Sequence, residues 1–166
     1  NRRPRRLNKK EQGEWQPLDF RGEIKGVTGL LHKELERRHV NLEITLQPDP
    51  RRVLGDVVQL QQVILNVLIN AAEAMANQAD PRELRIETAT REPGILAIAV
   101  SDSGPGVESS ELEHIFERFV TSKPEGMGMG LSISRSIIEA HVGRIRAARN
   151  SDRGLTVHIE LPCLSE

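Results

Sequence analysis

Tyrosine is absent from this sequence, and the other aromatics are a single tryptophan, Trp15, and three phenylalanines, Phe20, Phe116 and Phe119. A core made from it must be aliphatic, and a platform of aromatic rings for stacking nucleic-acid bases is not expected. Cysteine is as scarce: Cys163 stands alone and cannot close an internal disulfide. No run of about 18 apolar residues and no signal-peptide pattern occurs. The sequence therefore reads as a cytoplasmic protein with no direct membrane contact and no nucleic-acid partner. An excess of one charge is missing too, with 23 Lys and Arg against 24 Asp and Glu.

What charge asymmetry exists is local. Residues 1–11 carry six basic side chains against Glu11, or +5, which leaves −6 for the remainder. The basic run reads as a solvated linker or the end of a preceding helical hairpin over residues 1–16, with one domain over 17–166. The 37% hydrophobic content is ordinary for a folded domain and excludes disorder.

Apolar spacing gives the elements. Phe20, Ile24, Val27, Leu31 and Leu35 step by three and four, the stripe of a helix ending near Val40. Leu42, Ile44 and Leu46 alternate with polar residues as a half-buried strand, closed by Pro48 and Pro50. Asp56 with Gln59 three residues on resembles a capping box, opening a helix whose Leu60, Val63, Ile64, Val67, Leu68, Ala71 and Met75 form one face to about Gln78. Residues 84–88 and 95–100 read as a hairpin around Pro93-Gly94, residues 109–118 as helical, 131–141 as a third long helix stopped by Gly143, and 144–150 with 155–161 as a last strand pair. This order predicts an α/β (α+β) two-layer sandwich, a mixed five-stranded sheet with three main helices on one face.

Three places carry chemistry. Asn66 and Asn70 lie one turn apart beside the apolar stripe, although asparagine is a poor helix-interior residue. Both amides face solvent or neighbouring loops, or they serve a ligand; an amide oxygen is a hard donor suited to Mg²⁺. Asp102 follows a buried strand and opens the turn Asp102-Ser103-Gly104-Pro105-Gly106, a plain strand-to-loop turn or a carboxylate placed to accept from an exocyclic amine. Gly126, Gly128 and Gly130 lead straight into a helix, where free amides and the helix dipole suit phosphate, and Lys123 adds a charge. The triplet fits neither the Walker pattern nor the Rossmann fingerprint.

In combination, residues 62–75 (QVILNVLINAAEAM), 102–107 (DSGPGV), 116–123 (FERFVTSK) and 126–131 (GMGMGL) resemble the N box, first glycine box, phenylalanine box and second glycine box of the catalytic and ATP-binding domain of two-component sensor histidine kinases. Residues 154–162 (GLTVHIELP) resemble that domain's closing strand, and the lid and following helix look closest to the FixL-like and nitrogen-regulatory branch. The resemblance implies the Bergerat-type ATP-binding fold and a bacterial kinase that transfers the ATP γ-phosphate to a histidine on a separate dimerising hairpin, in a homodimer that serves a response regulator. It implies that Asn70 binds Mg²⁺, that Asn66 and Lys123 support the phosphates, and that Asp102 binds the adenine amine with Gly104 and Gly106 along the base. Gly126, Met127, Gly128, Met129, Gly130 and Leu131 would form the phosphate loop, and Thr156 would assist Asp102 through water. Strand alternation, however, puts Thr156 on the face opposite Leu155 and Val157. Glu73 stands where many members carry a basic residue, and Val142 replaces the first glycine of the usual His-Gly-Gly.

No histidine here has the acidic neighbour and following proline of the family's phosphoacceptor; His32 reads as a surface residue, His39, His114 and His158 lack that context too, and His141 reads as a complement to its helix C-terminus. The related gyrase, Hsp90 and MutL ATPases hydrolyse ATP with a glutamate one turn before the magnesium asparagine, and serine kinases of the anti-sigma type also place a glutamate there. This chain has Asn66. A non-catalytic nucleotide-binding module is the remaining alternative.

Overall fold

The computed structural model describes residues 14–48, 51–117 and 128–165. A short strand, β1 (Trp15–Asp19), leads into helix α1 (Phe20–Arg37), followed by β2 (Val40–Thr45), β3 (Arg52–Asp56), helix α2 (Val57–Ala74) and the hairpin β4 (Arg82–Arg91) and β5 (Ile95–Asp102). A 3₁₀ helix (Ser109–His114), helix α3 (Gly128–Ala140), β6 (Arg144–Arg149) and β7 (Leu155–Pro162) complete it.

The expected stripe of α1 is buried at every position, from Phe20 to Leu35. Five such side chains, at about 1.5–3 kcal/mol each, outweigh about 1 kcal/mol for each of the three exposed glycines in the helix, which is why it forms. It ends at Arg37, earlier than Val40, because His39 takes a left-handed φ of 59° and turns the chain into β2. Helix α2 begins as expected, with the Asp56 carboxylate accepting from the Gln59 amide at 3.1 Å. Its regular part stops at Ala74 rather than Gln78, and residues 75–78 continue as turns closed by bonds to Ala72, Glu73 and Met75 carbonyls. The segment expected to be helical at 109–118 is 3₁₀ over its first six residues. Helix α3 starts at Gly128, three residues before Leu131, so its first turn contains two residues of the glycine triplet.

The main sheet has the order β2-β4-β5-β7-β6, with β2 parallel to β4 and every other pair antiparallel. It is the mixed five-stranded sheet that the periodicity predicts. Leu84, Ile86, Leu96, Ile98, Val100, Val157, Ile159 and Leu161 share one buried core with the apolar stripes of the three helices. The sequence reading did not include the two-stranded ribbon of β1 and β3, paired from Trp15↔Asp56 to Asp19↔Arg52. Five-residue strands with Pro17 in one of them carry little periodic signal.

Helix α2 is the one helix among the described residues long and apolar enough to cross a membrane, yet its Leu60, Val63, Ile64, Val67 and Leu68 lie in this core.

Candidate functional site

Helices α2 and α3 pack against each other, and one contact between their ends fixes their relative direction. Asp56, the N-cap of α2, donates its backbone N–H to His141 at the C-terminal end of α3, at 3.1 Å. The helices therefore run antiparallel. The 13 residues of α3 rise about 20 Å, and the same rise along α2 reaches the neighbourhood of Asn70. The first turn of α3 is thus level with Asn66 and Asn70. At that same end the Asp102 turn abuts the end of α2: a Cβ on Gly104 would lie 3.4 Å from the Ala74 carbonyl and 3.4 Å from Met75 Cγ.

Asp102 is buried, and its two oxygens differ. Oδ1 accepts from the Gly104 amide at 2.8 Å and the Leu155 amide at 3.3 Å. Oδ2 accepts no hydrogen bond from the described residues and is not sealed from solvent. One oxygen holds the side chain in place while the other is left as an acceptor. Burial raises its pKa, against the lowering effect of the two amide bonds. Asn66 is buried and Asn70, one turn on, is half-buried. Among the described residues no three His, Cys, Asp or Glu side chains cluster as a metal site. A divalent ion beside Asn70 would take its amide oxygen, a hard donor of the kind that fits Mg²⁺ completing its shell with phosphates and water.

Thr156 is the expectation that the structure overturns. The register pairs Ser101 with Thr156, so both point to the sheet face opposite Asp102, and Thr156 bonds to Ser101 Oγ at 2.8 Å and to Asn150 Oδ1. The residue beside Asp102 is Leu155, acting through its backbone N–H. His141 complements its helix end as expected, but as a neutral donor: Nδ1 donates to the Ile137 carbonyl in the last turn of α3 at 2.8 Å while Nε2 accepts from Asp56.

Sequence reasoning missed the support behind Asp102. Asn150 Nδ2 donates to the Asp102 and Arg153 carbonyls, both at 3.1 Å. Gly154, with φ +95°, lies so close beneath that a Cβ there would sit 1.9 Å from the Asp102 carbonyl oxygen. The turn at residues 152–154 was visible in the sequence, but only the β5–β7 register shows that it backs Asp102.

Leu131 is buried and Gly128, Met129 and Gly130 form the first turn of α3. Phe116 is buried, with the Arg135 guanidinium 6.0 Å above its ring. Phe119, Lys123, Gly126 and Met127, with the expected lid, fall outside the described residues. A cavity of about 650 Å³ borders Asp102 and Ser103 on the side of β2 and the 150–153 turn, lined by Glu43, Glu83, Arg85, Asp152 and Arg153. Asn66 and Asn70 do not line it, so the candidate site follows the free oxygen of Asp102 and the helix ends instead.

Residues 55–165 match the family described as histidine kinase-, DNA gyrase B- and HSP90-like ATPases. The sensor protein FixL of Bradyrhizobium diazoefficiens is 43% identical over 129 residues, 78% of this chain and 25% of that protein. The two-component sensor PprA of Pseudomonas aeruginosa is 36% identical over 151 residues, 88% of this chain and 16% of its own length. The chain thus spans a quarter or less of these relatives. The catalytic domain of histidine kinase ThkA superposes with a TM-score of 0.81 at 28% identity, covering 90% of this chain and 96% of that one, and the same kinase has been solved in complex with response regulator protein TrrA. Fold, boxes and relatives converge, and the chain belongs to the histidine kinase-, DNA gyrase B- and HSP90-like ATPase family as a catalytic, ATP-binding domain of the sensor histidine kinase type.

Proposed function

We propose that the chain binds Mg·ATP where the Asp102 turn, the Asn66–Asn70 face and the N-terminus of α3 meet, and transfers the γ-phosphate to a histidine on a separate dimerising hairpin of its own full-length protein. The observation that carries this is the division of labour in Asp102, with Oδ1 held by two amides and Oδ2 open. An open carboxylate oxygen accepts from the exocyclic amine of adenine and repels the carbonyl oxygen of guanine. Gly104 and Gly106 carry the backbone along the base, and Asn70 supplies an amide oxygen to Mg²⁺ beside Asn66. Bound Mg²⁺ neutralises the triphosphate and orients it. The resemblance assigns Gly126, Met127, Gly128, Met129, Gly130 and Leu131 to the phosphates, which free amides ahead of a helix suit, and Lys123 to a supporting positive charge.

Phosphoryl transfer rests mainly on positioning and charge stabilisation, so the nucleophile decides the outcome. A neutral imidazole attacks the γ-phosphorus with its own lone pair, and the bond to the bridging oxygen breaks to release ADP. Water attack gains roughly 10²–10⁴-fold from a general base, which the amide of Asn66 cannot be. The full-length protein is then a homodimer in the bacterial cytoplasm or anchored at its membrane, passing the phosphoryl group to a response regulator, the kind of partner with which ThkA has been solved in complex.

Incubation of the chain with labelled Mg·ATP, alone and with the hairpin domain of its own kinase, tests this. Alone it should neither label itself nor turn over ATP appreciably; with the hairpin, label should appear on histidine. Rapid hydrolysis by the chain alone would point to an ATPase. Binding without transfer would point to a non-catalytic nucleotide module.

A further inference from the structure

His141 takes no part in that reaction, yet it is only 3% exposed and its ring is held on three sides. Nδ1 donates to Ile137 in its own helix, and Nε2 accepts the backbone N–H of Asp56. One face stacks on the Trp15 indole, with centroids 4.3 Å apart and planes 4° from parallel. The fit extends to Gly55, where a Cβ would lie 2.7 Å from His141 Cδ2. A single ring therefore joins strand β1, the N-cap of α2 and the C-terminus of α3.

We propose that His141 is a positioning residue that couples strand β1, through Trp15, to nucleotide affinity by holding the α2 N-cap against the far end of α3. The inference rests on the Mg·ATP reading above. Nucleotide would engage the N-terminal turn of α3 and the Asn66–Asn70 segment of α2, and His141 ties these helices at their opposite ends. Packed helices shift as units rather than deforming continuously. A change in their relative position at the nucleotide end therefore changes the joint, and with it the Trp15–His141 stack. Coupling is reciprocal, so a disturbance at Trp15 alters nucleotide affinity by the factor with which nucleotide alters the state of Trp15.

Trp15 is the only tryptophan of the chain, which makes its emission a reporter of this joint. Mg·ATP is titrated into the chain while Trp15 emission and, separately, heat of binding are followed. Emission should change along the calorimetric isotherm. His141→Phe keeps a ring against Trp15 but leaves the Asp56 N–H without its acceptor; it should weaken Mg·ATP about fivefold or more and shrink the emission change. His141→Gln restores an acceptor and should recover most of the affinity, a rescue that simple loss of packing would not give. Trp15→Leu, on a partly exposed side chain, is the second arm should His141→Phe not fold, and it should shift the affinity by a similar factor. Calorimetric binding with no emission change, or wild-type affinity in either His141→Phe or Trp15→Leu, would overturn the coupling. Absence of binding to the unaltered chain would overturn the nucleotide reading and the coupling with it.

Discussion

The carboxyl of Asp102 lies where burial disfavours its charge more than the amides of Gly104 and Leu155 favour it, so its pKa is raised from its ordinary value. A carboxyl whose pKa is higher folded than unfolded takes up its proton first in the native state as pH falls. Stability contributed by this group therefore rises towards acid and is lower at neutral pH. Asp102→Asn removes that charge while its amide oxygen still accepts the two N–H bonds, so thermal unfolding at pH 7 should show equal or higher stability. The nucleotide response should be opposite. An amide NH₂ in place of Oδ2 faces the adenine amine donor to donor, which should cost on the order of ten- to a hundredfold in ATP affinity and erase the preference over GTP. Calorimetry with both nucleotides checks this, and undiminished ATP selectivity would refute the role given to Asp102. In the unaltered chain, ATP affinity should fall as pH drops through the raised pKa of this carboxyl. Legibility at this scale was uneven: Asp102 stood out by its turn, whereas Asn150, Gly154 and Leu155 are ordinary hairpin residues until β7 is placed beside β5.

Helix α3 ends in a Schellman arrangement, with Val142 N–H bonded to the Glu139 carbonyl at 3.0 Å and Gly143 N–H to the Ile138 carbonyl at 2.9 Å. Val142, the residue that replaces a family glycine, occupies the left-handed position at φ 63°, which a β-branched side chain tolerates poorly, and it is 79% exposed. Val142→Gly should therefore stabilise the chain by about 1 kcal/mol, close to 2–4 °C in Tm for a domain of this size. Gly143 is different, because a Cβ there would lie 2.3 Å from the Glu160 carbonyl oxygen, and Gly143→Ala should be strongly destabilising. In α1, Gly26 has open space around its missing Cβ; Gly26→Ala should add about 0.5–1 kcal/mol, read as a higher urea midpoint at unchanged slope. Helices α1 and α2 were legible because each has a stripe of several turns, and α3 by the glycine triplet before it and Gly143 after it. Their ends were less so, since a helix end depends on what the next segment packs against.

Over the whole molecule, a ligand that binds only the native state stabilises it by mass action, by about 2.7 kcal/mol at a hundredfold excess over Kd. Mg·ATP at such excess should therefore raise Tm by several degrees, Mg·GTP at the same concentration by less, and Asn70→Ala should lose most of the part that depends on Mg²⁺. An equal shift with and without Mg²⁺ in the unaltered chain would remove Asn70 from the metal.

The sequence by itself determined the aliphatic core, the stripes of the first two helices, the hairpins and the family, because each rests on spacing within one segment or on residues that no other constraint would put together. It also determined that position 66 holds an amide where hydrolysing relatives hold a carboxylate. Tertiary structure alone decided the rest. The β1–β3 ribbon depends on pairing across 41 positions between Trp15 and Asp56. The face of Thr156 depends on register, where a slip of one residue would bring it to Asp102. His141 looks like any polar residue at a helix end until Asp56 and Trp15 arrive from the other end of the chain. Pairing, register and a shared ring are relations between distant segments, fixed only when the core that all of them bury is assembled.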